Sequence, residues 1–271
     1  MSGPDLKSAF QRTFPRTSKR LRFGKLNRVT LRSLQANRQF EPELKLVDVL
    51  LDGAPKLCFD VGAHIGHYCY MMERSVGAAR VHAFEPNPRS CAGLRAHFPG
   101  INIWPVAVSD TAGSAPFKVP FIGDSKKPTR GTLERFTEPG ESGHEITQVE
   151  TARLDDLCDR IGSEPIGLIK VDAEGHERKV LAGATKTLSQ HQPVLLIEIE
   201  QRHHADPIRR VFGEAEAHGY QGCFFDLARC RFQRLDSFDA STMQRYQDLK
   251  TAGYVNNFIF LPHRHAPKVL Q

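Results

Sequence analysis

Leu57-Cys58-Phe59-Asp60-Val61-Gly62-Ala63-His64-Ile65-Gly66 (LCFDVGAHIG) decides the fold. Leu57, Cys58, Phe59 and Val61 form a short apolar run with Asp60 as its single charge, which reads as a buried strand. Gly62 and Gly66 then bracket a tight turn, and a helix-like run opens at Tyr68. Strand, glycine-rich turn and helix in that order make the first unit of a nucleotide-binding α/β sheet. Glycine is needed there because a side chain would hold a ligand off the backbone and because such turns use positive φ.

Outward from this unit the pattern repeats. Strands are expected at residues 80–84, 101–108, 167–171, 193–199, 220–226 and 257–261, with helices at 41–51, 88–97, 177–188 and 208–218. That alternation predicts a Rossmann-like α/β domain, a seven-stranded mostly parallel sheet with helices on both faces. Residues 110–165 break the rhythm with short alternating pieces, glycines and prolines. They read as a β-rich insertion after the third strand, of the kind that shapes a substrate site. Residues 227–255 form a shorter insertion.

Charge divides the chain. Residues 1–40 carry ten Lys/Arg against one acid, Asp5, and the remaining residues sum to −3. The expected organisation is a basic N-terminal arm, 1–40, and one domain, 41–271. The arm reads as an extension packed on the domain, with an anionic surface or partner and a targeting peptide as alternatives. There is no run of 18 apolar residues and no apolar signal segment, so a cytoplasmic location is expected. The six cysteines form no CxxC pair and read as reduced thiols.

The turn and its neighbours carry the chemistry. Glu85 ends the second strand in AFEPNP, where an acid accepts hydrogen bonds from ribose hydroxyls. A pyrophosphate-binding turn needs a second glycine where this chain has His64, which argues against a dinucleotide. Asp60, one residue inside the strand, suits a cationic group, such as the ammonium and sulfonium of S-adenosylmethionine.

With these residues placed, the chain resembles the FkbM-family methyltransferases, which are class I S-adenosylmethionine-dependent enzymes. FDVGAHIGHY, AFEPNP, VAVSDTAG, TARLDDL, IKVDAEGHERKVLAGA, PVLLIEIE and NNFIFLP carry the resemblance, from about residue 41 to 262. Two departures stand out: His64 where the family usually has Asn, and Trp104-Pro105 near another usual Asn. The resemblance implies that Asp60, Gly62, Ala63, His64 and Gly66 surround the methionine moiety and Glu85 holds the ribose. Ser109 and Asp110 would flank the adenine. It also implies O-methylation of a hydroxyl on a sugar, polyketide or related metabolite. An RNA methyltransferase using the basic arm, or a cofactor-binding protein without catalysis, is the alternative.

Methyl transfer needs an aligned acceptor and a group to take its proton. The KVDAEGHE block follows the fourth strand, whose carboxyl end faces the ligand crevice. Asp172 leads as base or positioning group, followed by Glu174, His176 and, from the fifth strand, Glu198. His176 could instead cap the next helix. Glu198, in a very apolar run, either pairs with Lys170 or faces the acceptor. Asp172 and Glu198 could also hold a divalent cation, but the favoured site is metal-free. His203 and His204 read as an exposed pair. Oligomeric state and the identity of the acceptor are not written in the sequence.

Overall fold

The computed structural model describes residues 15–53, 56–123 and 131–263. Its centre is an eight-stranded sheet. In chain order the strands are β1 (Leu57–Val61), β2 (Val81–Phe84), β3 (Asn102–Trp104), β4 (Ala107–Val108), β5 (Gly113–Ile122), β6 (Glu141–Ala152), β7 (Ile166–Val171), β8 (Val194–Glu198), β9 (Tyr220–Asp226), β10 (Arg231–Arg234) and β11 (Asn257–Pro262). The main sheet runs β10-β9-β11-β8-β7-β1-β2-β3, and β4-β6-β5 form a second, three-stranded sheet. β3, β2, β1, β7 and β8 are parallel; β11 is antiparallel to both β8 and β9. From β1 the chain first builds outward through β2 and β3, then returns to β1's other side with β7. This reversal opens a crevice at the carboxyl ends of β1 and β7.

The main departures from the expected elements have identifiable physical causes. The sheet has eight strands rather than seven because Arg231–Arg234 folds back on β9 as an antiparallel edge. The strand expected over 101–108 is divided. Trp104 still pairs with Phe84, but Pro105 brings no N–H to the ladder, and Ala107–Val108 pair with Thr151–Ala152 in the second sheet. The helix expected over 177–188 breaks at Gly183, where a Cβ would lie 2.0 Å from the Ser109 carbonyl oxygen. The insertion is the long β5–β6 hairpin.

The helices that flank the crevice and its N-terminal neighbour are α1 (Pro15–Arg28), α2 (Leu31–Ala36), α3 (Val47–Leu51), α4 (His67–Val76) and α5 (Pro88–His97). Side chains alternate across the strands with a period of two. Cys58, Leu168, Leu196 and Ile259 therefore face one core layer, beneath α4 and the N-terminal segment, while Phe59, Ile169, Leu195 and Phe258 face the other. Two residues further along, Asp60 and Lys170 fall on the N-terminal-segment face and are opposite one another in the β1–β7 register.

That segment packs tightly. Phe23, Leu26 and Leu34 are fully buried. Phe23 stacks on Tyr70 with ring centroids 5.2 Å apart and meets Phe98 at 5.3 Å. Lys19 pairs with Glu73 and sits 4.4 Å above the Phe98 ring. Arg38 donates to Asn256 Oδ1 at 2.6 Å. Phe23, Leu26 and Leu34 thus share the domain's core, while the part of the arm before residue 15 lies outside the described residues. Phe23→Ala is expected to destabilise the chain by about 3–5 kcal/mol, the usual loss for a buried aromatic. Urea denaturation checks this, and a loss near zero would mean the segment only rests on the surface.

Candidate active site

A cavity of about 360 Å³ lies at the carboxyl ends of β1, β2, β7 and β8. Its first wall is the turn after β1. Gly62 has φ +80, and a Cβ there would lie 1.8 Å from the Asp172 carbonyl oxygen, so two turns meet backbone to backbone. Gly66 has φ +88 and packs against Leu94 of α5 and Phe98 just after it. His64 also adopts positive φ, at 46°. It occupies this position without being glycine, in the left-handed region that His, Asn and Asp tolerate better than most residues.

Asp60 is buried, and its Oδ2 accepts from the Cys69 N–H at 3.0 Å and the Cys69 thiol at 3.1 Å. It thereby satisfies an open N–H in the first turn of α4, where Gly66 offers no side chain. Burial raises its carboxyl to about 6 despite the Cys69 bonds and Lys170. Glu85 is also buried. The N–H groups of His64 and Asn87 donate to its two oxygens at 2.7 and 2.8 Å. Burial lifts Glu85 to about 7 in spite of those two donors.

The inner end of the cavity holds a charged cluster. Lys170 is almost wholly buried and donates to Asn257 Oδ1 at 3.0 Å, with Glu198 Oε2 at 3.8 Å. Burial pulls its ammonium down, but Asp172, Glu41, Glu198 and Asp60 more than reverse this. Glu198 goes the other way: burial, then Asp172 and Glu41, push its carboxyl well above the usual range. The expected Lys170–Glu198 pairing is therefore present inside the site, and Glu198 lines the cavity as well.

The structure gathers Asp60, Gly62, Ala63, His64, Glu85, Asp172, Glu174, His176 and Glu198 around one space. Gly66 supports the turn from behind. Ser109 and Asp110 do not line this cavity, and Val106, Ala107 and Val108 line it where they were expected. Ser109 Oγ is instead 2.9 Å from His176 Nε2 and donates to Asp110 Oδ1. His176 Nδ1 is 2.7 Å from Glu134 Oε1. Both ring nitrogens of His176 are thus engaged. The bond from His176 leads in holding Glu134 down to about 2, with Lys179 adding to it.

His203 and His204, expected to be exposed, are mostly buried. His203 lies 2.9 Å from Glu138 and 3.3 Å from Glu174, and His204 lies 3.0 Å from Glu177. Glu138, Glu174 and His203 form a group of metal-ligand type, but Arg202 already pairs with Glu138. Sequence reading missed Glu41, Tyr68 and Glu134 as site residues. Glu41 stands before Pro42 at a helix start, which gives a local reason for it and no hint of the cavity.

The sheet order, its antiparallel β11 and a cavity at the β1–β7 reversal define a Rossmann-like domain of the class I methyltransferase type. Residues 60–221 match the family described as the methyltransferase FkbM domain. The chain belongs to that family. It is 30% identical over 152 residues to the 2-O-methyltransferase NoeI of Sinorhizobium fredii, covering 52% of this chain and 62% of that protein. It is 33% identical over 151 residues to the 31-O-demethyl-FK506 methyltransferase FkbM of Streptomyces tacrolimicus, covering 46% and 58%. The hexuronic acid methyltransferase AglP of Haloferax volcanii is 29% identical over 192 residues, covering 66% and 71%. The matches to the first two span about three fifths of those proteins.

Proposed function

We propose that this chain is an S-adenosylmethionine-dependent methyltransferase acting on a hydroxyl of a small molecule. The observation that carries this is the acid-rich lining of the cavity: Glu41, Asp60, Asp172 and Glu174, with Glu85 and Glu198 that burial raises, outnumber the buried Lys170 and the mouth residue Arg89. Such a lining favours a ligand with net positive charge, which the cofactor has and a dinucleotide lacks. The turn fits as well, since Gly62 brings it against the Asp172 backbone where any Cβ would collide. Two of the relatives carry an oxygen acceptor in their names, and a third names a hexuronic acid.

In this reading Glu85 holds the ribose hydroxyls, and the Gly62–Gly66 turn with Asp60 holds the methionine portion. Phe84, Val106 and Val108 offer the base an apolar wall. The cofactor would supply a methyl group on a sulfonium, activated for displacement. The protein's part is to align the acceptor oxygen and remove its proton. Asp172 is assigned that proton, with His176 fixing the surrounding turn. No metal is needed for this assignment, because the Lys170 ammonium already supplies positive charge beside Asp172 and Glu198.

Calorimetry with S-adenosylhomocysteine tests the cofactor assignment, and absence of binding would remove it. Glu85→Ala is expected to weaken that binding about 10- to 100-fold, the range for a charge-assisted hydrogen bond. Turnover of labelled cofactor against metabolite extracts then identifies the acceptor. Asp172→Asn with undiminished turnover would take the proton away from Asp172.

A further inference from the structure

The family match begins at residue 60, yet one lining residue of the cavity among those described comes from upstream of it: Glu41. Two donors from opposite ends of the domain fix it. Tyr68 Oη donates to Glu41 Oε2 at 2.6 Å, and Asn257 Nδ2 donates to the same oxygen at 2.9 Å. Oε1 has no hydrogen-bond partner among the described residues. Burial pushes the Glu41 carboxyl up, but Lys170, the Tyr68 hydroxyl, Arg38 and Asn257 together carry it below its ordinary value. Asp60, the other acid beside the glycine turn, has Oδ2 committed to Cys69 and sits higher. Of the two, Glu41 is the dependable negative charge.

Its position relative to the sheet says what it would meet. Glu85 follows β2, on one side of β1, and Lys170 lies on β7, on the other. Glu41 joins the β7 side through Asn257 and reaches the first turn of α4 through Tyr68. In the cofactor reading, a nucleoside anchored at Glu85 would send its 5′ substituent across the Gly62–Gly66 turn towards that corner.

We propose that Glu41 receives the α-ammonium of the amino-acid tail of an S-adenosyl ligand through Oε1. This rests on the cofactor reading above and adds a binding residue from outside the matched domain. Such a carboxylate makes the site discriminate by the tail's amino group and not by the nucleoside.

The test uses the full chain, calorimetry and two ligands: S-adenosylhomocysteine and its analogue with the α-amino group replaced by hydrogen. The unaltered protein should prefer S-adenosylhomocysteine by about 10- to 100-fold. Glu41→Gln keeps an acceptor for Tyr68 and should bind the two ligands about equally. Equal binding of both by the unaltered protein overturns the proposal, as does full discrimination by Glu41→Gln. An equal fall for both ligands in Glu41→Gln also overturns it, because it marks a structural role. If Glu41→Gln does not fold, Tyr68→Phe gives the second reading: with one donor to Oε2 lost, discrimination should shrink several-fold, and unchanged discrimination counts against Glu41. Failure of the unaltered protein to bind either ligand would instead bring down the cofactor reading itself, and this proposal with it.

Discussion

Gly62→Ala is expected to cost about 2–5 kcal/mol of folding stability, from a positive-φ penalty plus backbone overlap. Two effects combine at this site. The residue sits at φ +80, where an L side chain is strained, and the added Cβ would lie 1.8 Å from the Asp172 carbonyl oxygen. That oxygen belongs to backbone, so the clash cannot be relieved by turning a side chain. The turn after β1 must move away from the turn after β7, and the cavity between them must change shape. Two other glycines separate the contributions. Gly53, at φ +71, has nothing within 4 Å of its would-be Cβ, so Gly53→Ala reports the dihedral cost alone. The nearest atoms that a Cβ at Gly66, φ +88, would meet belong to the side chains of Leu94 and Phe98, which can yield. Urea denaturation should rank the losses Gly62→Ala, then Gly66→Ala, then Gly53→Ala. If Gly62→Ala loses no more than Gly53→Ala, the close approach of the two turns is wrong.

The second large effect belongs to Lys170. Lys170→Met keeps much of the side-chain volume but leaves Glu41, Asp172 and Glu198 without their buried cation. Removing one partner from a buried charge group typically costs about 3–5 kcal/mol. The loss should depend on pH in a definite sense. Lys170 titrates above its ordinary value, so its charge is constant between pH 5.5 and 8. Carboxyls raised by folding take up protons as the chain folds, and their penalty grows as pH rises from the ordinary carboxylate range through their folded values. Asp60 at about 6 and Glu43 and Glu85 at about 7 already give the unaltered protein a decline over that window. Glu198 stands raised already, and without Lys170 the pull that holds Glu41 down is lost as well. The variant's deficit should therefore be largest near pH 8 and shrink at pH 5.5. A deficit independent of pH would show that Lys170 acts through packing instead.

Much of this was legible in the residues because the signals were local. LCFDVGAHIG carries its strand, its turn and the reason for its glycines in ten consecutive positions, and PRSCAGLRAH reads as the helix it forms. Breaks set by distant partners were not legible. Gly183 ends a helix because the Ser109 backbone passes beside it, and Ser109 is far away in sequence. His203 and His204 looked like an exposed pair because nothing near them announces Glu138 or Glu177. Glu41 was hidden for the same reason. Its local setting explains a helix start, while its hydrogen-bond partners are Tyr68 and Asn257. Asp172, Glu174 and Glu198 could be named because they lie at or just beyond strand ends, which the alternation of the chain places at one edge.

The bond between Glu41 and Asn257 joins positions 216 residues apart, and Arg38 to Asn256 spans 218. Closing so long a loop gives up chain entropy before any contact is gained. The Glu41 corner of the cavity is therefore expected to become ordered late. During synthesis, β1, its turn and β2 leave the ribosome well before Asn257 exists. A nascent chain with the complete glycine turn still lacks the donor that fixes Glu41, so ligand affinity should rise only once the last strand has docked.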